Sequence, residues 1–222
     1  MTQPNSLLAL ERRLQTTLPD ARVEVADLPH LPEISLGLIN ADYQTGPLPP
    51  EVMHAVIAKP AYWAFCWGSG LSLARWLLDH PEEVKNKEVV DLGPGSGVVA
   101  IAAALAGATH VRACDNDADA LLATETNAAL NGVELSLSDD LINLEANCDV
   151  MFMADVLYDR ANFGLISIAK EKAQKIIIAD SRVADVEDDE FALAYEDTAL
   201  TVPNLGEFDE FRNVRFFTWT RG

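Results

Sequence analysis

Between residues 87 and 180 short apolar runs alternate with longer segments of helical character. Residues 87–93 (KEVVDLG), 109–114 (THVRAC) and 175–180 (KIIIAD) are brief and rich in apolar or β-branched side chains, and 148–154 (CDVMFMA) is apolar almost throughout. These predict buried strands, and the alternating VELSL (133–137) predicts another. Between them, residues 96–107 are Ala-rich and end at Gly107. Residues 117–132 begin at an Asp cap and end at Asn-Gly, and 160–173 have helix length. All three predict helices. Strands alternating with helices imply a parallel sheet covered on both faces, and right-handed crossovers make it doubly wound. The tail differs. Residues 191–202 and 214–220 read as two strands around the turn-rich 203–213, so an antiparallel hairpin at one sheet edge is expected. The first 80 residues predict a helix at 5–16, short strands near 21–26 and 33–39, and a helix at 71–80. With no repeat and no low-complexity linker, the reading is one compact unit: an N-terminal extension (1–80) packed on a core (81–222).

Composition bounds the function. Apolar residues make up 49% and the mean hydropathy is +0.06, an ordinary globular balance. The longest apolar run, 98–106, is too short for a bilayer, and the first 15 residues lack the basic-then-apolar order of a secretory signal, so no membrane partner is expected. Cys66, Cys114 and Cys148 are odd in number and far apart, which points to a reducing cytoplasm and away from a disulfide framework. Four scattered histidines without Cys-x-x-Cys give no metal signal. The net charge, 16 − 35 = −19, repels phosphate backbones, so nucleic acid is not an expected partner; a basic protein or an amine-bearing substrate suits it. The acid is equally read as a solubilising surface.

The segment VVDLGPGSGVVAIAAA sets Asp91, Gly93, Gly95 and Gly97 between a strand and a helix, where a sharp turn and a close-lying ligand both favour glycine. A dinucleotide fingerprint fails, because its third glycine would fall on Val98. The next strand ends in ACDND. Asp115 lies 22 positions after Gly93, where a carboxylate can accept from ribose hydroxyls. The alternative is that the glycines serve packing while Asp115 and Asp117 cap the next helix.

This stretch, continued through NAALNG, resembles the first half of a class I S-adenosylmethionine (SAM)-dependent methyltransferase. The resemblance implies a Rossmann-like, mostly parallel seven-stranded sheet with an antiparallel C-terminal hairpin. It also implies SAM as cofactor, with the Gly93–Gly97 loop and Asp91 against its methionine part, Asp115 on the ribose, Asn116 beside the adenine, and Asp140 and Leu141 at the adenine edge. Asp139 and Asp140 are otherwise a strand end in solvent. At the fourth strand end the sequence is ADVLYD (154–159), without the Asn/Asp-Pro-Pro-Tyr of base and amide methylases. It is similar to the Asp-x-x-Tyr signature of certain protein lysine methyltransferases. Residues 60–93 and 32–39 are similar to the electron-transfer flavoprotein beta-subunit lysine methyltransferases, a likeness that places Trp67 and Ala154 with the cofactor; the YWAFCW cluster otherwise reads as packing. After strand five, Asp180 and Arg182 match that group's Asp-Pro-x-Arg only in part, and the acidic run 185–190 departs from it, so the docking rim differs.

The resemblance implies transfer of a methyl group to a protein lysine, with the electron-transfer flavoprotein beta subunit a candidate partner. Asp155 would receive the ammonium, and Tyr158 would supply a wall, a hydroxyl acceptor and a ring face for a cation. Otherwise Asp155 caps the following helix and Tyr158 packs. Competing functions are ribosomal-protein or small-amine N-methylation, a nicotinamide-dependent oxidoreductase, and a non-catalytic binding module.

Overall fold

The computed structural model describes residues 5–44, 46–144, 147–206 and 208–222. The core is a seven-stranded sheet built from β3 (Glu88–Leu92), β4 (His110–Cys114), β5 (Ser136–Ser138), β6 (Cys148–Ala154), β7 (Ala173–Asp180), β8 (Ala192–Thr198) and β9 (Asn213–Thr220), in the order β5-β4-β3-β6-β7-β9-β8. The first five of these in sheet order are parallel, while β9 runs antiparallel to both β7 and β8. The chain thus crosses to the outer edge with β8 and returns between β8 and β7. The hairpin expected in the tail exists, with its second strand innermost.

Alternate residues of the central strands feed two separate cores. Val89, Val150, Phe152, Ile177 and Ala179 pack with α3 (Gly68–Asp79) and α4 (Val98–Leu105) on one face. Val90, Met151, Met153, Ile176 and Ile178 pack with α6 (Gly164–Lys172) on the other. A sheet covered on both faces needs strands apolar on both sides, which is why β6 and β7 read as continuous apolar runs. From β3 the chain winds outward through α4, β4, α5 (Ala118–Leu130) and β5, then returns to lay β6 on the other side of β3. This reversal opens a crevice at the carboxyl ends of β3 and β6.

The N-terminal residues form α1 (Asn5–Leu14), an antiparallel pair β1 (Val23–Leu28) and β2 (Leu31–Ile39), and α2 (Pro50–Ala58). Leu7, Leu10 and Leu14 share a core with Ala120 and Ala123 of α5. Two amides of α5 fasten β2. Asn131 accepts from Ser35 N–H (3.0 Å) and donates to Ser35 O (2.7 Å). Asn127, fully buried, accepts from Gly37 N–H (2.7 Å) and donates to Ser96 O in the glycine loop (2.8 Å). Glycine at 37 suits this approach, since a Cβ there would lie 2.4 Å from Leu7 Cδ2, which would have to shift.

Three expectations shift, and one helix is new. The strand at 133–137 is reduced to Ser136–Ser138, because Val133 and Leu135 turn inward against the core. The helix at 160–173 divides into a 3-10 turn, Arg160–Phe163, and α6; Asp159 accepts from Ala161 N–H (2.9 Å) and tightens the entry. The helix placed at 71–80 begins earlier, at Gly68. Helix α2 was not anticipated: its weak apolar stripe contributes no fully buried residue, although Pro at its first turn is a start signal.

Replacing Asn127 with Ala strands the Gly37 N–H and the Ser96 carbonyl in the interior. The expected loss is about 2–4 kcal/mol of unfolding free energy, read as a lower urea midpoint; an unchanged midpoint would contradict the role given to this amide.

Candidate active site

The crevice at the strand ends is a cavity of about 600 Å³. One Asp stands within one residue of the end of each of the four central parallel strands, and each accepts from the backbone. Asp91 accepts from Ala100 N–H (2.9 Å), Asp115 from Asp117 N–H (2.9 Å), and Asp155 from Ser69 N–H (3.1 Å). Asp180 accepts from Arg182 N–H (2.8 Å) and Val183 N–H (3.0 Å). Burial raises the pKa of all four. It lifts Asp91 to about 7; for Asp155 burial together with the charge of Asp180 lifts it to about 6; for Asp115 and Asp180 burial is again the leading cause.

Of the residues singled out from sequence, Trp67, Gly93, Gly95, Asp115, Asn116, Asp140, Leu141, Ala154, Asp155 and Tyr158 all line this cavity. Two do not. Asp91 is turned inward onto α4, and Gly97 (φ 84°) is the N-cap of α4, pressed against Thr124, where a Cβ would sit 3.0 Å from the backbone. Both belong behind the loop, not on the cavity wall: the motif has a front and a back that spacing does not distinguish. Gly95 (φ 52°) is the front. Nothing lies within 4 Å of a Cβ built there, so the backbone is open to a ligand.

Asp117 caps α5 through Asp119 N–H (2.9 Å), while Asp115 both closes its own turn and faces the cavity. Asp140 likewise folds back, accepting from Ile142 N–H (2.7 Å) and from the Asn143 side chain (2.6 Å), yet it remains on the wall. Asp155 does not cap the helix after it. It adopts a left-handed conformation (φ 53°), and its carboxylate, 8% exposed, receives both Ser69 N–H and, at 2.6 Å, Ser69 Oγ–H from the start of α3.

The mouth is aromatic. Tyr158, half exposed, meets Tyr62 edge-on with ring centroids 5.3 Å apart, and Tyr62 meets Trp67 at 5.9 Å. Trp67 Nε1–H donates to Tyr62 O (2.8 Å) and locks the pair. The Arg182 guanidinium stacks on Trp67 (5.5 Å) and Phe211 (4.6 Å), with Nη1 3.9 Å from Asp155. Sequence reasoning assigned no role to Tyr62 and only a partial match to Arg182. The aromatic spacing in YWAFCW was the available signal for Tyr62; Arg182 is brought in by the turn after β7.

The lining suits some ligands and opposes others. Five carboxylates (Asp115, Asp117, Asp139, Asp140, Asp155) face one guanidinium, a balance that favours a cationic ligand. Of the loop N–H groups, Gly93's bonds Cys114 O (2.9 Å) and Gly97's bonds Pro94 O (2.7 Å), so neither is offered to a pyrophosphate. A sulfonium-bearing nucleoside fits: open backbone at Gly95, Asp115 for ribose hydroxyls, and apolar Leu141 and Ile142 for a flat base.

Residues 72–182 match the family model described as ribosomal protein L11 methyltransferase (PrmA). The electron transfer flavoprotein beta subunit lysine methyltransferase of Rattus norvegicus is 40% identical over 101 residues, 44% of this chain and 40% of that protein. The ribosomal protein L11 methyltransferase of Acinetobacter baumannii (strain SDF) is 36% identical over 173 residues, 75% of this chain and 53% of that protein. The chain spans half or less of the flavoprotein-directed relative and about half of the ribosomal one. The crystal structure of magnesium protoporphyrin IX methyltransferase from Synechocystis PCC 6803 with bound SAM superposes with a TM-score of 0.53 at 20% identity, covering 81% of this chain and 88% of that one. The fold is therefore that of the class I methyltransferases.

Asp91 gives a test by pH. Its carboxyl is raised from 3.8 to about 7, so the folded state holds its proton more tightly than the unfolded chain does. The stability it contributes is complete below about pH 4 and is lost as the pH rises through 7. Asp91→Asn keeps an oxygen for Ala100 N–H and removes the titration. Between pH 5 and 8 the variant should lose about 2 kcal/mol less unfolding free energy than the parent, measured by urea denaturation at each pH; parallel curves would refute the assignment.

Proposed function

The chain belongs to the ribosomal protein L11 methyltransferase (PrmA) family, and on that footing we propose that it transfers a methyl group from SAM to the side-chain amine of a protein lysine. The observation that carries the reading is the carboxylate of Asp155 set at the cavity beneath the rings of Tyr62, Tyr158 and Trp67. An ammonium is drawn to exactly such a combination of ring faces and a fixed negative charge.

SAM, when bound, supplies a methyl group already activated by its sulfonium. Gly93, Gly95, Asp115, Asn116, Asp140, Leu141 and Ala154 are the residues that would hold it. The protein's own work is to bring up an amine and strip it of water. A lysine ammonium titrates near 10.4 and must lose a proton before it can attack. Asp155, at about 6, is ionised at neutral pH but is too weak a base to take that proton efficiently. Its part is to attract the ammonium and to orient the amine after the proton leaves to water. Tyr158 and Tyr62 flank the lysine stem and exclude solvent; burial pushes the Tyr158 phenol upward, so it stays protonated.

The acceptor protein divides the two groups of relatives. The electron-transfer flavoprotein beta subunit and a ribosomal protein are both supported by curated relatives that this chain resembles over part of their length. The cysteines, all free and buried, support a reducing cytoplasmic setting.

Incubation of the protein with methyl-labelled SAM and a cell lysate should label one or a few protein bands, with N-methyllysine recovered after hydrolysis; label confined to small molecules would replace the lysine reading with small-amine transfer. Asp155→Asn, which keeps an acceptor for Ser69, should lose about 100-fold or more of the transfer rate while S-adenosylhomocysteine affinity is retained.

A further inference from the structure

Ser69, in the first turn of α3, does not itself line the cavity. Yet it is the partner of the residue at the centre of the proposed chemistry. Ser69 is fully buried. Its N–H reaches Asp155 Oδ2 at 3.1 Å and its hydroxyl reaches Oδ1 at 2.6 Å, across 86 residues of sequence. The glycines on either side are what let this helix end come so close. A Cβ at Gly68 would lie 3.0 Å from the Ala199 carbonyl, and one at Gly70 would lie 3.1 Å from Val98 of α4. On the other side Asp155 is turned back by its left-handed backbone, fixed by its own N–H to Ala179 O (3.0 Å).

We propose that Ser69 is a positioning residue for methyl transfer: with the first turn of α3 it holds the Asp155 carboxylate in one plane and one charge state, leaving its remaining lone pairs for the incoming amine. The proposal rests on the lysine-methylation reading above. A carboxylate bound through two donors on one side cannot rotate about its terminal torsion, and a twelve-residue helix presents its positive end to it. Among the described residues, the other side chains near the Asp155 carboxylate stand farther off than Ser69. Ser181 Oγ stands at 3.5 Å and Arg182 at 3.9 Å, both near the limit of contact. Among the described residues, few titratable groups face Asp155. Asp180 and Arg182 come from the end of β7, and the Cys66 thiol, kept protonated by burial, comes from the segment before α3. Asp180 opposes ionisation of Asp155, and Ser69 is the principal group that favours it.

The test is Ser69→Ala beside Ser69→Thr, with the carboxyl of Asp155 followed by carbon-13 NMR through a pH titration and methyl transfer followed over the same range. In Ser69→Ala the Asp155 midpoint should rise by half a unit or more. The acid limb of the rate profile should move up with it, and the turnover should fall about tenfold at neutral pH. S-adenosylhomocysteine affinity should stay within twofold. Ser69→Thr, which restores a hydroxyl, should return the midpoint and the limb towards the parent. If the midpoint and the rate profile of Ser69→Ala coincide with the parent's, the positioning role is wrong. Since the NMR titration needs no acceptor, a parent protein that methylates no lysine would sink the functional reading separately, with the hold of Ser69 on Asp155 decided by the midpoint alone.

Discussion

The organisation of the active crevice follows from one repeated interaction: a carboxylate removed from water and held by backbone N–H groups. Asp91, Asp115, Asp155 and Asp180 stand at the ends of the four central parallel strands, and in each case the donors come from a turn or helix start that follows or abuts the strand. Parallel strands end at one edge of the sheet, so their terminal residues are neighbours whatever their separation in sequence. Placing an acid at each end costs desolvation four times over, which is why all four acids titrate high. The cost is offset locally by N–H groups that helix starts and turns leave without intrahelical partners. Helix starts and strand ends thereby fix each other, and the cavity between them is a by-product of that fit.

The same arrangement sets the ligand preference. A crevice with acids on its walls, an aromatic mouth and the N–H groups of Gly93 and Gly97 committed to carbonyls favours a cationic ligand over a phosphate. Exposed ion pairs elsewhere, such as Arg22 with Asp42, add little to stability individually.

How much of this could be read from the sequence depends on the distance over which each residue finds its partners. The strands β3, β6 and β7 were legible because a sheet covered on both faces demands unbroken apolar runs. Asp115, Gly95 and Tyr158 were legible because their place follows from a strand end. Asp91 and Gly97 were recognised as part of the loop, but that they face α4 and Thr124 and not the cavity could not be read from spacing, since a turn of alternating left-handed residues faces two ways within five positions. The inner position of β9 was hidden, because pairing order at an antiparallel edge is decided by packing and leaves no local signature. The hold of Ser69 on Asp155 was invisible for the same reason: neither residue is unusual in its own neighbourhood, and 86 positions separate them.

The fastening of β2 by Asn127 and Asn131 has a consequence for the order in which the molecule is made. The strand carrying Ser35 and Gly37 leaves the ribosome some 90 residues before the helix that receives it. At about 5–20 residues per second, the N-terminal pair waits roughly 5–20 s with its apolar side, Ile34, Leu36 and Leu38, uncovered. The glycine loop, whose Ser96 carbonyl needs the same amide, is completed in the same event. Completion of the glycine loop and covering of the β1–β2 pair are therefore a single step of co-translational folding.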